Sequence, residues 1–427
     1  MSANSDACPG PTIRFLATWH QDADELSKDS GKRRLSGRIH ILGLGNVGSF
    51  VAHSLASRPS PPPVTLLLHN SNLYQSWLQR KKCIEITTNE LDDIKTGFDV
   101  NVFNDQTWHS VPYWNKDGTA ENSNNEISTM AQDVDADEAL AQSAQNDERI
   151  ECLVVAVKAP VTVAALKSVK HRLTPDSTVL FLQNGMGTID EVNDQVFPDP
   201  RNRPHYMCGI MSHGLLHRKE PFQVAHTGVG TTILGSIPPI NTLSSVDRDI
   251  DWAPSTKYLM RTLTLTPPLV AVAETPTALR LYQLEKLAMN SVINPLTAIM
   301  GCKNGELLYN YSFTRIMRLL LIEISSVICA LPELQGVPGI ESRFSPERLR
   351  MMVTQLANKT AANNSSMLQD IKSRKQTEIE YMNGYIVRRG EELGIKCMVN
   401  YTIKHLVLAR SLQAKNKESA AVPIDLL

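Results

Sequence analysis

Residues 38–56 read RIHILGLGNVGSFVAHSLA, a short apolar segment, three spaced glycines and a second segment with helical periodicity. The first segment is typical of a buried β-strand. Val47, Val51 and Leu55 recur at intervals of four residues, which is typical of one face of a helix. The stretch therefore predicts a strand, a tight turn and a helix, in that order.

Gly43, Gly45 and Gly48 form the pattern G-x-G-x-x-G at this turn. In dinucleotide-binding proteins the first glycine permits the tight turn, the second lets the backbone approach the pyrophosphate, and the third lets helix and strand pack closely. The helix N-terminus adds N–H donors and a partial positive charge. A structural glycine turn is the alternative, but the strand–turn–helix setting favours a cofactor loop. Its residues are Gly43, Leu44, Gly45, Asn46, Val47 and Gly48.

Strands and helices continue to alternate after this loop. PPPVTLLLHN (61–70), ECLVVAVKAP (151–160), STVLFLQNGMG (177–187) and MCGIMSHG (207–214) are predicted strands with their following turns. Such β-α-β alternation implies a parallel sheet. Beyond residue 270 almost only amphipathic helical runs remain. The predicted fold class is α/β, an N-terminal Rossmann-type dinucleotide-binding domain followed by an all-helical C-terminal domain.

The predicted domains are a flexible tail at 1–36, the dinucleotide-binding domain at 37–270 and a helical substrate and catalytic domain at 271–427. Residues 104–149 are polar and acidic and are predicted to form a surface insertion. Two hairpins are expected in the first domain. One joins KKCIEITTN (81–89) to GFDVNVF (97–103), and the other lies within FQVAHTGVGTTILGS (222–236).

Composition excludes several classes of protein. The 427 residues carry a formal net charge of −1, which gives no basic surface for nucleic acid. No apolar run approaches the ~18–20 residues of a membrane span. The seven cysteines are scattered without C-x-x-C, so no metal site is expected and free thiols in a reducing compartment are favoured. The expected location is the cytoplasm, with the mitochondrion as the less favoured alternative.

The end of the second strand bears on the choice of cofactor. NAD sites place an acidic residue about 20 positions after the glycines, to bind the ribose hydroxyls. Here that place is taken by His69, with Arg80, Lys81 and Lys82 further on. The missing carboxylate favours NADP, while the cation that meets the 2′-phosphate stays open. A solvated residue at the strand end is the alternative role for His69.

Lys286, Asn290 and Asn294 share one face of a predicted helix, at intervals of four residues. Apolar residues occupy its other sides, so the polar stripe is expected to face a cleft, with a solvated stripe as the alternative. One lysine and two amides suit reduction of a ketone. Lysine supplies a cation and a proton to the developing alkoxide, and asparagine both donates to and accepts from hydroxyls.

Other candidates lie in two regions of the chain. Lys158 and Asn184 each follow an apolar strand, where ligands of open α/β sheets bind. His213 is similarly placed and stays unassigned. Ser365 and Ser366 are hydroxyl donors suited to a carboxylate. Thr377 and Glu380 fit a capping box, which puts Glu378 in the first turn of a helix, where dipole complementation is its alternative role.

These residues resemble the ketopantoate reductases (2-dehydropantoate 2-reductases). The similarity rests on GLGNVG (43–48), QNGMGTIDE (183–191), KLAMNSVINPLTAIMGCKNGEL (286–307) and SSMLQDIKSRKQTEIEYMNGYIV (365–387). The resemblance implies NADPH-dependent reduction of 2-dehydropantoate to pantoate, on the route to pantothenate and coenzyme A. A eukaryotic, fungal member is indicated. ALPELQGVPGIESRFS (330–345) is an addition with no assigned role.

The resemblance also implies roles for single residues. Lys286 corresponds to the catalytic acid, and Glu378 to a glutamate near cofactor and lysine. Lys158, Asn184 and His69 fall at cofactor positions. Substrate contacts are implied for Asn184, Asn290, Asn294, Asn304 and Ser366. A small 2-oxo acid is the expected partner, and a homodimer is one alternative, since relatives occur as monomers or dimers. A reductase for another branched 2-oxo acid and a non-catalytic nucleotide-binding paralogue with a regulatory role remain the rival functions.

Overall fold

The computed structural model describes residues 35–111, 140, 143–238 and 252–419. The predicted tail, apart from its last two residues, and most of the predicted insertion therefore lie outside the described residues. The strands are β1 (Ile39–Leu42), β2 (Val64–Leu68), β3 (Ile84–Thr88), β4 (Leu91–Lys95), β5 (Asp99–Asn104), β6 (Thr107–Val111), β7 (Ala144–Gln145), β8 (Cys152–Val155), β9 (Thr178–Phe181), β10 (His205–Met211), β11 (Gly214–His217), β12 (Gln223–Gly228), β13 (Thr232–Ile237) and β14 (Ala271–Ala273).

The α-helices of the described residues are α1 (Asn46–Ala56), α2 (Ser71–Gln79), α3 (Thr162–Val169), α4 (Thr188–Gln195), α5 (Pro254–Thr264), α6 (Pro276–Met300), α7 (Tyr311–Cys329), α8 (Ile340–Arg343), α9 (Pro346–Lys359), α10 (Ser366–Lys372), α11 (Asn383–Glu392) and α12 (Met398–Ser419). None of them is both long and apolar enough to cross a membrane.

A ten-stranded sheet forms the centre of the first part of the described chain, in the order β14-β13-β10-β9-β8-β1-β2-β5-β6-β7. Its middle, from β5 through β2, β1, β8 and β9 to β10, is parallel throughout. Numbered along the chain, these six strands stand in the order 3-2-1-4-5-6, which is the order of Rossmann-type folds. Strands β1, β2, β8 and β9 are buried along their whole length, as parallel strands covered on both faces require. The predicted α/β fold is confirmed.

Both predicted hairpins are wrong. Strand β3 pairs with β4, because Asn89 and Glu90 adopt the left-handed backbone of a tight two-residue turn. Strand β5 pairs instead with β2 and β6. Strands β12 and β13 belong to different sheets: β12 joins β11, β3 and β4 in a second sheet, whereas β13 lies between β10 and β14. Alternation identified the strands but not their partners. Strands β3 and β5 each turn back on the next strand of the chain, and each also pairs with a more distant one, β3 with β12 and β5 with β2.

The insertion predicted from residue 104 begins within regular structure. Strand β6 adds to the edge of β5 through another two-residue turn with left-handed backbone, at Asp105 and Gln106. On β6, Trp108 is buried, packs against Phe103 and donates its indole N–H to the Ser168 carbonyl at 2.9 Å. The sequence did not predict this strand, since it contains few aliphatic residues. A single buried tryptophan anchors it to the unit instead.

The chain divides into two compact units. The first comprises Met1–Val157, Val161–Gln183 and Val192–Leu279, and the second comprises Lys158–Pro160, Asn184–Glu191 and Arg280–Leu427. The sequence predicted one boundary after residue 270. Strand β14 follows that point, and two short segments from earlier in the chain belong to the second, helical unit. Each unit has its own apolar core.

Replacing Trp108 tests whether β6 is an integral part of the first unit. We expect Trp108→Ala to lower the free energy of unfolding by about 3–5 kcal/mol, because it leaves a cavity and an unpaired carbonyl. Trp108→Phe, which keeps a ring, is the control and is expected to lose about 1–2 kcal/mol. Urea unfolding followed by circular dichroism measures both. A loss below about 1 kcal/mol in the alanine variant would contradict the assignment.

Candidate active site

The glycine loop of the first unit has the geometry that a dinucleotide needs. Gly43 has a φ of +102°, and a Cβ on it would lie 2.5 Å from the Val157 nitrogen. A Cβ on Gly48 would lie 1.9 Å from the Gly43 carbonyl oxygen. A Cβ on Gly45, by contrast, would meet open space. The loop is therefore closed toward the protein and open at the start of α1, where a pyrophosphate would approach the backbone.

The loop also lies where the strand order reverses. It follows β1, whose neighbours are β2 and β8, and this is the switch point at which open α/β sheets bind ligands. The first turn of α1 holds no acidic residue to repel a phosphate. His69, directly after β2, is exposed, and Asn70 caps α2 by accepting a hydrogen bond from the Leu73 N–H.

The basic residues that follow α2 differ in their surroundings. The Arg80 guanidinium pairs with Glu85 at 2.6 Å and with Glu220 at 3.2 Å. Lys81 and Lys82 have left-handed backbone, and Lys81 is exposed. Since two carboxylates already neutralise Arg80, Lys81 is the more accessible cation of this group.

The helical unit contains the polar stripe of α6. Lys286 and Asn290 are partly buried, and Asn294 is buried. Leu287 and Val292, on the other sides of the helix, belong to the core of this unit. Burial lowers the pKa of Lys286 from its ordinary 10.5 to about 8, and the Glu378 carboxylate offsets part of that fall. A lysine with such a pKa holds a proton at neutral pH and releases it readily.

Glu378 connects this lysine to the two segments from earlier in the chain. Its side chain is only 3% exposed. One carboxylate oxygen accepts a hydrogen bond from the Ala159 N–H at 3.2 Å, and the other accepts one from the Asn184 amide at 3.3 Å. The Lys158 ammonium lies 3.6 Å away. Glu378 thus gathers Lys158, Asn184 and Lys286 around one buried charge.

Asp370 is a member of this group that the sequence did not predict. Its carboxylate is buried and pairs with the Lys158 ammonium at 2.9 Å. Burial raises the pKa of Asp370, although Lys158 offsets part of the rise. Burial by itself lowers the pKa of Lys158, but Glu378 and Asp370 together outweigh it, so the pKa lies above its ordinary value. We call Lys158, Asn184, Lys286, Asp370 and Glu378 the Glu378 cluster. The sequence could have indicated Asp370, because it is an acidic residue among the apolar positions of α10.

The predicted capping box at Thr377–Glu380 is wrong. Residues Ile379–Tyr381 form a single 3-10 turn, and no side chain caps it. Glu378 lies at the N-cap position of this turn, and its carboxylate reaches partners far away in sequence instead of the local backbone. Tyr381 strengthens the same connection. Its hydroxyl donates to Glu191 at 2.8 Å, and its carbonyl accepts from the Met186 N–H at 2.8 Å.

The remaining predicted substrate residues lie around α10 and α6. Ser366 is exposed at the first position of α10, while the buried Ser365 caps that helix by accepting a hydrogen bond from the Leu368 N–H. Asn304 is buried and donates its amide to the Thr360 hydroxyl at 2.9 Å. The Asn304 amide oxygen, by contrast, has no hydrogen-bond partner among the described residues. Asn294 donates to the sulfur of Met382 at 3.6 Å.

Comparison with known proteins identifies the family. Residues 39–239 match the family model described as "Ketopantoate reductase PanE/ApbA", and residues 278–411 match "Ketopantoate reductase PanE/ApbA C terminal". A 2-dehydropantoate 2-reductase of Vibrio cholerae is 34% identical over 250 residues, 58% of this chain and 74% of that one. The chain belongs to the ketopantoate reductase family. It is an oxidoreductase.

Two fungal relatives match over a larger share of this chain than the Vibrio cholerae enzyme does. A probable 2-dehydropantoate 2-reductase of Schizosaccharomyces pombe is 28% identical over 88% of this chain and 97% of its own. The "Ketoisovalerate reductase BEA2" of Gibberella fujikuroi is 25% identical over 82% of this chain and 77% of its own. The crystal structure of a Ralstonia eutropha PanE/ApbA family ketopantoate reductase has the same fold, with a TM-score of 0.61, 20% identity, and coverage of 88% of this chain and 99% of that one.

The pKa of Lys286 predicts a pH-dependent effect on stability. At pH 7 the folded protein holds an ammonium that burial disfavours, whereas the unfolded chain hydrates it. We expect Lys286→Met to be more stable than the parent by about 1–3 kcal/mol at pH 7. The pKa of Lys286 is about 8 in the folded protein and 10.5 in the unfolded chain. Between these two pH values the folded parent has lost the lysine's proton while the unfolded chain still holds it, so the parent becomes more stable as the pH rises. The stability advantage of Lys286→Met therefore shrinks over this range.

Urea unfolding at pH 7 and at about pH 9.5 measures this difference. Lys359→Met, at an exposed position of α9, controls for the loss of a positive charge. Equal stabilities of Lys286→Met and the parent at both pH values would show that burial does not perturb Lys286.

Proposed function

We propose that this oxidoreductase is an NADPH-dependent 2-dehydropantoate 2-reductase that makes pantoate for pantothenate and coenzyme A. The observation that carries the proposal is the electrostatic interaction between Lys286, whose pKa is about 8, and the buried Glu378 carboxylate. The Vibrio cholerae and Schizosaccharomyces pombe relatives, both named as 2-dehydropantoate 2-reductases, support the substrate.

The glycine loop fits the diphosphate of the cofactor. In the proposal, the backbone of Gly43, Leu44, Gly45, Asn46, Val47 and Gly48 binds it, at the N-terminus of α1. The 2′-phosphate is assigned to the surroundings of His69, because the acidic residue typical of NAD sites is missing from the end of β2. Lys158, Asn184 and Glu378 are assigned to the nicotinamide end. When bound, the reduced nicotinamide supplies a hydride.

Lys286 is the proposed general acid. The ammonium stabilises the negative charge that develops on the ketone oxygen and transfers a proton to it, so the keto group becomes a hydroxyl. The neutral amine that remains takes up a proton from solvent. Glu378, the second proposed catalytic residue, partly offsets the fall of the Lys286 pKa, which keeps the lysine protonated at neutral pH.

The substrate roles follow from side-chain chemistry. Ser366, exposed at the start of α10, is assigned to the substrate carboxylate, since its hydroxyl donates a hydrogen bond. Asn290, Asn294 and Asn304 are assigned to the substrate hydroxyl. The unsatisfied amide oxygen of Asn304 supports this role, because a buried acceptor is stabilised by a donor such as a hydroxyl.

A reductase acting on another branched 2-oxo acid is the second candidate. The ketoisovalerate reductase named among the relatives supports it, and the same lysine would protonate that product. Initial rates of NADPH oxidation with ketopantoate, ketoisovalerate and other branched 2-oxo acids separate the two. A higher kcat/KM for ketopantoate is the expected result, and a higher value for an acid without the hydroxyl would favour the second candidate.

Replacing Lys286 tests the proposed acid. We expect Lys286→Ala to lower kcat with ketopantoate by about 10²–10⁴-fold, because the alkoxide then lacks its cation and its proton donor. Lys359→Ala, at an exposed position of the same unit, is the control and is expected to retain the parent's rate. Stopped-flow absorbance of NADPH measures the reduction. A near-parental rate in Lys286→Ala would refute the assignment.

The same assay tests the rival function of a non-catalytic paralogue. NADPH binding by the parent without substrate-dependent oxidation would favour that rival.

Cofactor preference is tested at the end of β2. We expect His69→Asp to raise the KM for NADPH at least about tenfold, because a carboxylate repels the 2′-phosphate. The KM for NADH is expected to stay constant or fall. His69→Asn removes the imidazole without adding charge, so it separates repulsion from loss of contact. Unchanged preference in His69→Asp would place the 2′-phosphate elsewhere.

A further inference from the structure

The added segment at residues 330–345 makes two ion pairs with α6, the helix that carries Lys286. Glu333 accepts from Arg280 at 3.2 Å and from Arg389 at 3.0 Å. Arg343, on α8, pairs with Glu285 on α6. The second contact involves the residue immediately before Lys286.

Glu285 is a buried carboxylate held by two guanidiniums. It is 6% exposed. Arg343 donates to both of its oxygens, at 2.9 and 3.1 Å, and Arg348 donates to one of them at 2.9 Å. Two-point contacts of this kind fix direction as well as distance.

The Arg343 guanidinium also lies over the ring of Tyr282, 5.3 Å from its centroid. Tyr282 and Glu285 are three residues apart and therefore share one face of α6. One guanidinium thus contacts two side chains on that face, which opposes rotation of the helix about its axis.

We propose that Glu285 is a positioning residue, which through Arg343 and Arg348 fixes the rotation of α6 and so holds Lys286 beside Glu378. The role rests on the proposed function, since Lys286 is the group it acts through. Successive residues of a helix differ by 100° in direction, so the face that carries Glu285 sets the direction of Lys286.

A small rotation of α6 displaces the Lys286 ammonium far enough to affect proton transfer. A rotation of about 10° moves a side-chain tip some 6–8 Å from the helix axis by roughly 1 Å. A displacement of about 1 Å at a reacting group can lower a rate about 10²-fold. The Glu285 carboxylate is already paired with two guanidiniums, and Glu378 is the charge that acts on the pKa of Lys286, so we assign to Glu285 an effect of position.

Glu333 provides a matched control. Like Glu285, it is a largely buried carboxylate with two arginine partners, one of them pairing it to α6. Its α6 partner is Arg280, at the beginning of the helix and more than one turn before Lys286. Glu333→Gln is therefore expected to cost stability as Glu285→Gln does, without redirecting Lys286.

The first experiment compares Glu285→Gln and Glu333→Gln in the NADPH oxidation assay, with thermal unfolding of both. We expect Glu285→Gln to lower kcat by about 10–100-fold with the KM for the oxo acid within about threefold, and Glu333→Gln to stay within about twofold in kcat. Arg343→Lys, which keeps the charge but loses the two-point contact, is expected to give a smaller loss in the same direction. Equal losses of kcat in both glutamine variants, or none in Glu285→Gln, would overturn the proposal.

The second experiment needs no activity. Acetylation of Lys286 by acetic anhydride, followed by peptide mass spectrometry over a pH series, reports its pKa. We expect this pKa to rise from about 8 toward 10.5 in Glu285→Gln, because a displaced lysine is better hydrated, and to stay unchanged in Glu333→Gln. An unchanged pKa in Glu285→Gln overturns the proposal whatever the rates. A parent that reduces no 2-oxo acid overturns the proposed function alone, and the acetylation result then decides the role of Glu285.

Discussion

A carboxylate that is almost fully removed from water is stable only if cations and hydrogen-bond donors replace the hydration it has lost. Glu378 meets this condition with one backbone N–H, one side-chain amide and the Lys158 ammonium. The requirement explains why segments from far earlier in the chain belong to the helical unit. It also explains why Lys286, whose burial disfavours its charge, keeps a pKa of about 8 and does not fall further.

Positive and negative charges alternate through the Glu378 cluster, from Lys286 through Glu378 and Lys158 to Asp370. Each interior member is neutralised by its neighbours, so the cluster as a whole buries little net charge. In the proposed function, an anionic substrate or cofactor meets cations whose positions are already fixed. Prior ordering of this kind reduces the reorganisation that must accompany a reaction.

The sequence predicted what local pattern determines. The strand, turn and helix at residues 38–56 follow from apolar periodicity and glycine spacing, and the structure confirms them. The polar stripe of α6 was visible for the same reason. Strand partners were predicted wrongly, because β3 turns back on β4 through Asn89 and Glu90, while β5 joins β2 and β6 in the other sheet. Asp370 was missed, since its partner Lys158 is 212 residues away. The predicted capping box was wrong, because Glu378 binds partners far away in sequence instead of the backbone of its own turn.

The contacts of Glu378 have a consequence for how the protein is made. Its partners Ala159 and Asn184 precede Glu378 by 219 and 194 positions. At roughly 5–20 residues per second, a ribosome completes these early segments about 10–40 s before it reaches Glu378. During that time Lys158 and Asn184 have no carboxylate to bind, and contacts so distant in sequence form slowly. The cluster is therefore among the last parts of the enzyme to assemble, after the parallel sheet has had time to fold.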